Sequence, residues 1–134
     1  MPKIKVYEVI TKLELGGAQL STLEFVQSLD KEVYDISLLT SRGGELLPDA
    51  SSIKGVKIVL MPSLRREINL LFDCKTLLLM YLLFKKEKPH IVHTHSSKAG
   101  ILGRWSARLA GIRSIVHTVH GWEFHEYQNK LKRR

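Results

Sequence analysis

The stretch PHIVHTHSSKAGILGRWSARLAGIRSIVHTVHGWEF, residues Pro89 to Phe124, determines the fold of this chain. It predicts three elements: a strand over His90–Thr94, a helix over Lys98–Ala110 and a strand over Ser114–Val119. Gly111 follows the helix, in a position where a left-handed backbone costs glycine nothing. Two strands joined by a helix of about a dozen residues form a βαβ unit, which implies that the strands are parallel. All six histidines of the protein lie between positions 90 and 125, and several of them fall where strands end.

The residues before this unit predict the same alternation. Hydrophobic periodicity and turn residues indicate strands at Ile4–Ile10, Tyr34–Thr40 and Val56–Met61, helices at Ala18–Leu29 and Ile68–Lys86, and a short helical turn in Glu45–Ser52 that Pro48 interrupts. This order predicts an α/β fold with a Rossmann-like, doubly wound and mostly parallel sheet. Right-handed crossovers then bring the loops that follow the strands to one edge of the sheet. We expect residues 1–134 to form a single domain.

The charge of the chain favours an anionic partner. There are 21 Lys and Arg residues against 13 acidic ones, a formal net charge of +8. Nucleic acid, a phosphorylated ligand or an anionic membrane surface would suit this charge, and a basic surface without a specific task is an equally open alternative. We do not expect nucleic-acid binding, because no recognisable motif or aromatic platform accompanies the basic residues.

The sequence also predicts where the protein is found. A single cysteine fits a reducing compartment, and the first residues enter a strand pattern directly, which predicts no signal peptide. The longest apolar run, Leu77–Phe84, is about half the length needed to span a bilayer. We therefore expect a cytoplasmic protein that can attach peripherally to the inner face of the membrane.

Loops at the predicted edge carry groups that suit an anion. Gly16 and Gly17 come at a helix N-terminus, where backbone N–H groups can approach a phosphate and the helix dipole favours negative charge. An ordinary turn is the alternative for this pair. The next loop offers an imidazole, a hydroxyl and an ammonium group from His95, Ser96 and Lys98. The serine pair in this loop also suits helix capping by its hydroxyls.

Histidines supply the remaining candidates. His120 ends the last predicted strand, and Gly121 after it leaves room for a ligand, although a purely structural histidine is the alternative. His93 and His95 share a face of one strand, and His117 and His120 add further possible metal ligands. The sequence has no H-E-x-x-H motif, no cluster of acidic ligands and no cysteine pair, so we expect no metal site.

With these loops the sequence resembles the N-terminal domain of family 4 glycosyltransferases, which are retaining enzymes of the GT-B fold. The matching segments are GGAQ (Gly16–Gln19), KPHIVHTHSSKAGILGRWSARLAG (Lys88–Gly111) and IVHTVHGWEF (Ile115–Phe124). The last two are especially similar to bacterial enzymes that build surface polysaccharides on lipid carriers. The resemblance implies a UDP- or GDP-linked sugar as donor, a glycan or lipid-linked acceptor, and no metal or other cofactor.

The resemblance also implies roles for the loop residues. It places Gly16 and Gly17 beside the donor diphosphate, and His120 beside the transferred sugar as the active-site histidine. The acceptor side of the cleft would be lined by three further residues: His95, Ser96 and Lys98.

Enzymes of this family have two Rossmann-like domains, and the second one holds most of the donor nucleotide. We therefore expect this chain to be the acceptor-binding half of a hexosyltransferase, inactive alone and completed by a C-terminal donor-binding domain or a separate chain. The alternative is a non-catalytic partner or membrane-tethering subunit that pairs with such a chain. A general nucleotide-binding Rossmann module is disfavoured, because the G-x-G-x-x-G fingerprint is missing.

Overall fold

The computed structural model describes residues 2–119, which form a parallel five-stranded sheet with helices on both faces. The strands are β1 (Ile4–Val9), β2 (Tyr34–Thr40), β3 (Val56–Leu60), β4 (Ile91–Thr94) and β5 (Ser114–His117). The helices are α1 (Gly17–Ser28), α2 (Leu47–Ser51), α3 (Leu70–Glu87) and α4 (Ser97–Leu109). Each end lies within two residues of its predicted place, and the predicted fold class is confirmed.

The strand order is β3-β2-β1-β4-β5, and every neighbouring pair is parallel. The chain therefore builds outward from β1 to β3 and then returns across the sheet to place β4 on the other side of β1. In open α/β sheets, ligands bind at the carboxyl edge where the strand order reverses in this way. In this chain that point lies between β1 and β4.

Each face of the sheet covers its own apolar core, because successive side chains of a strand point to opposite faces. One core lies under α1 and α2 and contains Ile10, Leu13, Leu23, Leu38, Leu46 and Ala50. The other lies under α3 and α4 and includes Tyr7, Val9, Met80, Phe84, Val92, Ala99 and Ala107. The small residues of α4 allow it to approach the sheet closely: a Cβ atom added at Gly103 would lie 2.7 Å from Cγ2 of Thr94.

Local details differ from the sequence-based expectations at two places. Pro48 does not interrupt α2 but lies in its first turn. Backbone N–H groups in the first turn have no acceptor within the helix, so the N–H group that proline lacks costs no helical hydrogen bond. Ser96 is the N-cap residue of α4, as predicted, but its hydroxyl makes no capping hydrogen bond. Gly111 has a φ of +82°, in agreement with the predicted left-handed conformation.

Among residues 2–119, no helix is both long enough and apolar enough to cross a membrane.

Candidate functional site

A cleft of about 840 Å³ opens at the carboxyl edge of the sheet, at the point where the strand order reverses. It lies between the loop that follows β1, the loop that follows β4 and the segment that leads into α3. Five residues proposed from the sequence line it together: Gly16, Gly17, His95, Ser96 and Lys98. The sixth, His120, lies outside the described residues.

Gly17 leaves open space in front of α1, whereas the side chain of Gln19 lies close to Gly16, with its Oε1 2.7 Å from the place of an added Cβ atom. Gly16 is the N-cap residue and has an extended backbone with no side-chain cap. The first intrahelical bond runs from the N–H of Leu20 to the carbonyl of Gly16, so the N–H groups of the first helical turn have no intrahelical acceptor. A Cβ atom added at Gly17 would meet no atom within 4 Å. This end of α1 therefore has room, donors and a favourable dipole for an anionic group.

Thr11 and Ser96 join the two loops across the switch point. The Ser96 hydroxyl accepts a hydrogen bond from the Thr11 backbone N–H at 3.0 Å, and the two hydroxyl oxygens are 2.6 Å apart. The Thr11 hydroxyl also accepts a bond from the N–H of Ala99 at 3.3 Å. Ala99 is the third residue of α4, so Thr11, rather than Ser96, supplies the side-chain cap of this helix. Sequence reasoning missed Thr11 because it lies 88 positions from the N–H group that it caps.

Basic side chains line the cleft, and acidic groups hold two of them. The ammonium group of Lys98 lies 2.8 Å from a carboxylate oxygen of Asp73 and donates to the carbonyl of Glu67, which connects α4 to the start of α3. Arg66 donates to Glu14 at 2.9 Å. Lys12 lies on the opposite wall, in the loop after β1. Because Glu14 and Asp73 pair with Arg66 and Lys98, Lys12 supplies the surplus positive charge that makes this surface suitable for anions.

Glu8 forms the most deeply buried polar contact near the cleft. Its side chain is 0% exposed, and its two oxygens lie 3.0 Å from Nδ1 of His93 and 2.9 Å from Nε2 of His95. The other ring nitrogen of His93 is 2.5 Å from the hydroxyl of Thr118. Burial favours the protonated acid, but the hydrogen bonds from the two histidines outweigh it and hold the pKa of Glu8 below its ordinary value. Glu8 is therefore a carboxylate in the folded protein.

The same three residues offer one potential metal ligand each, with all ligand atoms within 4.8 Å of one another. Sequence reasoning considered His93 and His95 but missed Glu8, which lies 85 positions before His93. The available signal was a glutamate with apolar residues on both sides within the strand pattern IKVYEVI. The contacts to both histidines satisfy the carboxylate without a cation, and the absence of a metal stays a prediction.

Two further histidines make contacts outside the cleft lining. His117 packs between β5 and α4, where its Nδ1 lies 2.8 Å from the hydroxyl of Thr94. Burial and the nearby guanidinium of Arg104 lower the pKa of His117. His90 lies at the opposite edge of the sheet and accepts a hydrogen bond from the backbone N–H of Lys5 at 2.9 Å. These contacts give both residues structural roles.

Comparison with known proteins agrees with this geometry. The chain matches the model of Glycosyltransferase Family 4 over residues 15–134. It is 44% identical over 128 residues to an Escherichia coli protein, UDP-Gal:alpha-D-GlcNAc-diphosphoundecaprenol alpha-1,3-galactosyltransferase, a match that covers 96% of this chain and 33% of the relative. It is 32% identical over 121 residues to the capsular polysaccharide biosynthesis glycosyltransferase CapM of Staphylococcus aureus, covering 90% of this chain and 30% of CapM. The chain thus spans about a third of the length of these relatives.

Solved structures with the same fold include a putative UDP-N-acetylglucosamine 2-epimerase from Listeria monocytogenes. It superposes with a TM-score of 0.66 at 15% identity, covering 88% of this chain and 32% of the epimerase. A second UDP-N-acetylglucosamine 2-epimerase gives a TM-score of 0.66 at 22% identity, with the same coverage. At these identities the likeness shows the fold alone.

The bridge between Thr11 and Ser96 predicts a stability effect. Thr11→Val keeps the shape of the side chain but removes the cap of α4 and a partner of Ser96, so we expect a loss of about 1–2 kcal/mol in the free energy of unfolding. Urea denaturation followed by circular dichroism measures this loss. Thr22→Val is the matched control, because Thr22 is also buried but only donates to a carbonyl within its own helix. Equal losses in the two variants would contradict the bridging role.

Proposed function

The chain belongs to glycosyltransferase family 4, as an N-terminal GT-B domain of the surface-polysaccharide type, and on that premise we propose that it forms the acceptor side of a glycosyltransferase active site. The enzyme would be a retaining one that uses a UDP- or GDP-linked sugar, and the acceptor would be a glycan on a lipid diphosphate. The observation that carries the proposal is the convergence of Gly16, Gly17, His95, Ser96 and Lys98 on one cleft.

The electrostatics of the cleft suit the diphosphates of such substrates. Transfer of a sugar from a nucleotide requires stabilisation of the departing diphosphate and a fixed position for the acceptor hydroxyl. The N-termini of α1 and α4 both open on the cleft, and each carries a partial positive charge from its helix dipole. Lys12 adds a full positive charge along the walls, and Arg66 and Lys98 add donor groups that are also paired with Glu14 and Asp73. We assign the space at Gly16 and Gly17 to the donor diphosphate and the α4 side to the acceptor.

His120 completes the proposed site. It is two residues beyond Thr118, whose hydroxyl contacts His93 and whose backbone N–H donates to the carbonyl of Thr94 at 3.0 Å. We propose that its imidazole contacts the transferred sugar, and this role stays a prediction, because His120 lies outside the described residues.

A membrane surface is the second proposed partner. Helices α3 and α4 pack on the same face of the sheet and expose large apolar side chains: Leu71, Leu78, Leu82, Ile101, Trp105 and Leu109. Trp105 is 61% exposed and lies between Arg104 and Arg108 on the same helix. Exposed apolar groups flanked by cations are typical of surfaces that bind anionic membranes. We call this the α3–α4 surface and propose that it holds the cleft near a lipid-linked acceptor.

The α3–α4 surface and the cleft meet at Ile101. Ile101 lines the cleft and is also exposed on α4, and Ile68, which is 92% exposed, lies on the cleft wall just before α3. An acceptor whose lipid part lies in the membrane could therefore reach the cleft along an apolar path. This continuity supports attachment together with catalysis, rather than the alternative of a tethering subunit without a catalytic role.

Ligand binding tests the proposed site. We expect N-acetylglucosaminyl diphosphofarnesol, a short analogue of the acceptor named for the Escherichia coli relative, to shift the amide NMR signals of both cleft loops in the labelled chain. Lys98→Met removes an ammonium group from the α4 side of the cleft, which we assign to the acceptor, so it should weaken binding about tenfold, the cost of roughly one hydrogen bond.

Farnesol is the matched control ligand, since it carries the apolar chain without the diphosphate and the sugar, and it should leave the loop signals unchanged. Shifts confined to other parts of the chain, or equal shifts with farnesol, would contradict the proposed site.

Vesicle binding tests the α3–α4 surface. The chain should co-sediment with vesicles that contain phosphatidylglycerol at low salt and detach at high salt, because each basic residue near an anionic surface contributes about 1 kcal/mol. Replacing Ile101 and Trp105 by serine should reduce binding strongly. The matched control is Leu20→Ser, which removes an exposed leucine from α1 on the opposite face. Equal binding to neutral vesicles, or equal loss in the control, would reject the proposed surface.

A further inference from the structure

We propose that Glu8 is a positioning residue of the cleft: its carboxylate fixes the ring orientations of His93 and His95 and thereby sets the loop after β4 and the end of β5 for ligand binding. The ligand-binding part of this inference rests on the proposed function. The contacts of Glu8 with His93 and His95 do not depend on the proposed function, because they lie within the folded chain.

Because the Glu8 side chain is buried, its carboxylate requires hydrogen-bond and charge partners within the protein. Glu8 and His93 are directly paired in the register of β1 and β4, and His95 lies two residues further along, on the same side of the sheet. Helix α1 covers this side, where Phe25 packs edge-on against the ring of His93 at 5.4 Å. Removing a carboxylate from water costs several kcal/mol unless hydrogen bonds and charge partners replace the lost hydration. The two histidines supply that replacement.

The carboxylate determines which ring nitrogens carry a proton. An ionised carboxylate only accepts hydrogen bonds, so both nitrogens that face it must be N–H donors. These are Nδ1 of His93 and Nε2 of His95, which are different nitrogens of the two rings. In neutral His93 the remaining nitrogen is then an acceptor, and the Thr118 hydroxyl at 2.5 Å is its donor. The Glu8 carboxylate thus fixes the Nδ1–H tautomer of His93 and the Nε2–H tautomer of His95. Through His93 it also orients the hydroxyl of Thr118.

The network reaches the groups that shape the cleft. His95 lines the cleft, with a side chain that is only 2% exposed, and its backbone N–H donates to the carbonyl of Val9 at 3.0 Å. Thr118 follows β5 and is tied to β4 by its backbone as well as to His93 by its hydroxyl. Glu8 therefore connects β1, β4 and the end of β5 at the edge where the cleft opens.

Substitution by glutamine separates this role from simple packing. Gln has nearly the same shape as Glu, but it offers one acceptor oxygen and one donor nitrogen. Only one histidine can keep its N–H bond to position 8 in Glu8→Gln. The other must present an unprotonated nitrogen, so its tautomer changes, or it must lose the contact.

A bound zinc ion is the competing explanation for this cluster, since its three ligand atoms lie within 4.8 Å of one another. Zinc would require both facing nitrogens to be unprotonated, because a metal-bound nitrogen carries no proton. The hydrogen-bonded network requires both of them to be protonated. A direct observation of the ring protons therefore decides between the two.

The experiment is long-range proton–nitrogen NMR of the full chain with nitrogen-15 histidine, at about pH 8, where an ordinary imidazole is neutral. We expect the Nδ1–H form of His93 and the Nε2–H form of His95. Glu8→Gln should change the tautomer of one ring, and Thr118→Val, a milder change, should shift the Nε2 signal of His93 while leaving His95 unchanged. Glu87→Gln at the opposite edge of the sheet is the control and should change neither ring.

Other tautomers in the wild-type chain, or an unchanged pair of rings in Glu8→Gln, would overturn the inference. So would loss of the N–H signals on addition of zinc chloride to metal-free wild-type chain. In the same samples, Glu8→Gln should bind N-acetylglucosaminyl diphosphofarnesol about tenfold more weakly than wild type, the effect of a disturbed hydrogen bond.

The binding result separates two failures. Equal affinity of wild type and Glu8→Gln would give the network a purely structural role and overturn the positioning claim, while the proposed function would stand. A wild-type chain that does not bind the probe at all would reject the proposed function, and with it any positioning of that ligand.

Discussion

The reversal of strand order between β1 and β4 is the constraint on which the rest of this structure depends. Neighbouring parallel strands whose helices lie on the same face of a sheet have adjacent loops that close over its edge. Here β1 leads into α1 on one face and β4 leads into α4 on the other, so their loops diverge and leave a cleft between them. The reversal also brings two helix N-termini to the same cleft, which gives it an electrostatic character before any side chain is considered.

Loops that diverge from each other need contacts to hold them in place, and in this chain polar side chains make those contacts. Thr11 and Ser96 join the loops by their hydroxyls, Glu8 joins β1 to β4 below them, and Lys98 joins α4 to Asp73 on α3. The apolar cores lie further down, on both faces of the sheet. Stability therefore comes mainly from the apolar cores, whereas the geometry of the carboxyl edge depends on a few polar contacts that must all be satisfied.

The sequence predicted the elements well because their signals are local. Apolar alternation, Gly111 and the spacing of the βαβ unit each depend on a few neighbouring residues, and the rule of right-handed crossovers then brings Gly16 and Ser96 to one edge. The contacts of Glu8 and Thr11 could not be read in this way, since their partners lie more than 80 positions away.

Ser96 shows how tertiary contacts replace a local expectation. A serine before a helix normally caps that helix, but here its hydroxyl bonds to Thr11, and Thr11 makes the capping bond instead. Of Glu8 and Thr11, Glu8 alone gave a signal in the sequence, because a glutamate among the apolar residues of a strand needs a partner that the strand itself cannot provide.

The central claim is that this chain forms the acceptor side of a family 4 active site, and a chimera tests it most directly. Residues 1–134 would replace the matching third of the Escherichia coli galactosyltransferase, and galactose transfer from UDP-galactose to N-acetylglucosaminyl diphosphofarnesol would be measured. We expect transfer by the chimera, and a loss of about a hundredfold on His120→Ala with an unchanged melting temperature. A folded chimera that loses no activity on His120→Ala, or that binds the acceptor and donor without any transfer, would contradict it.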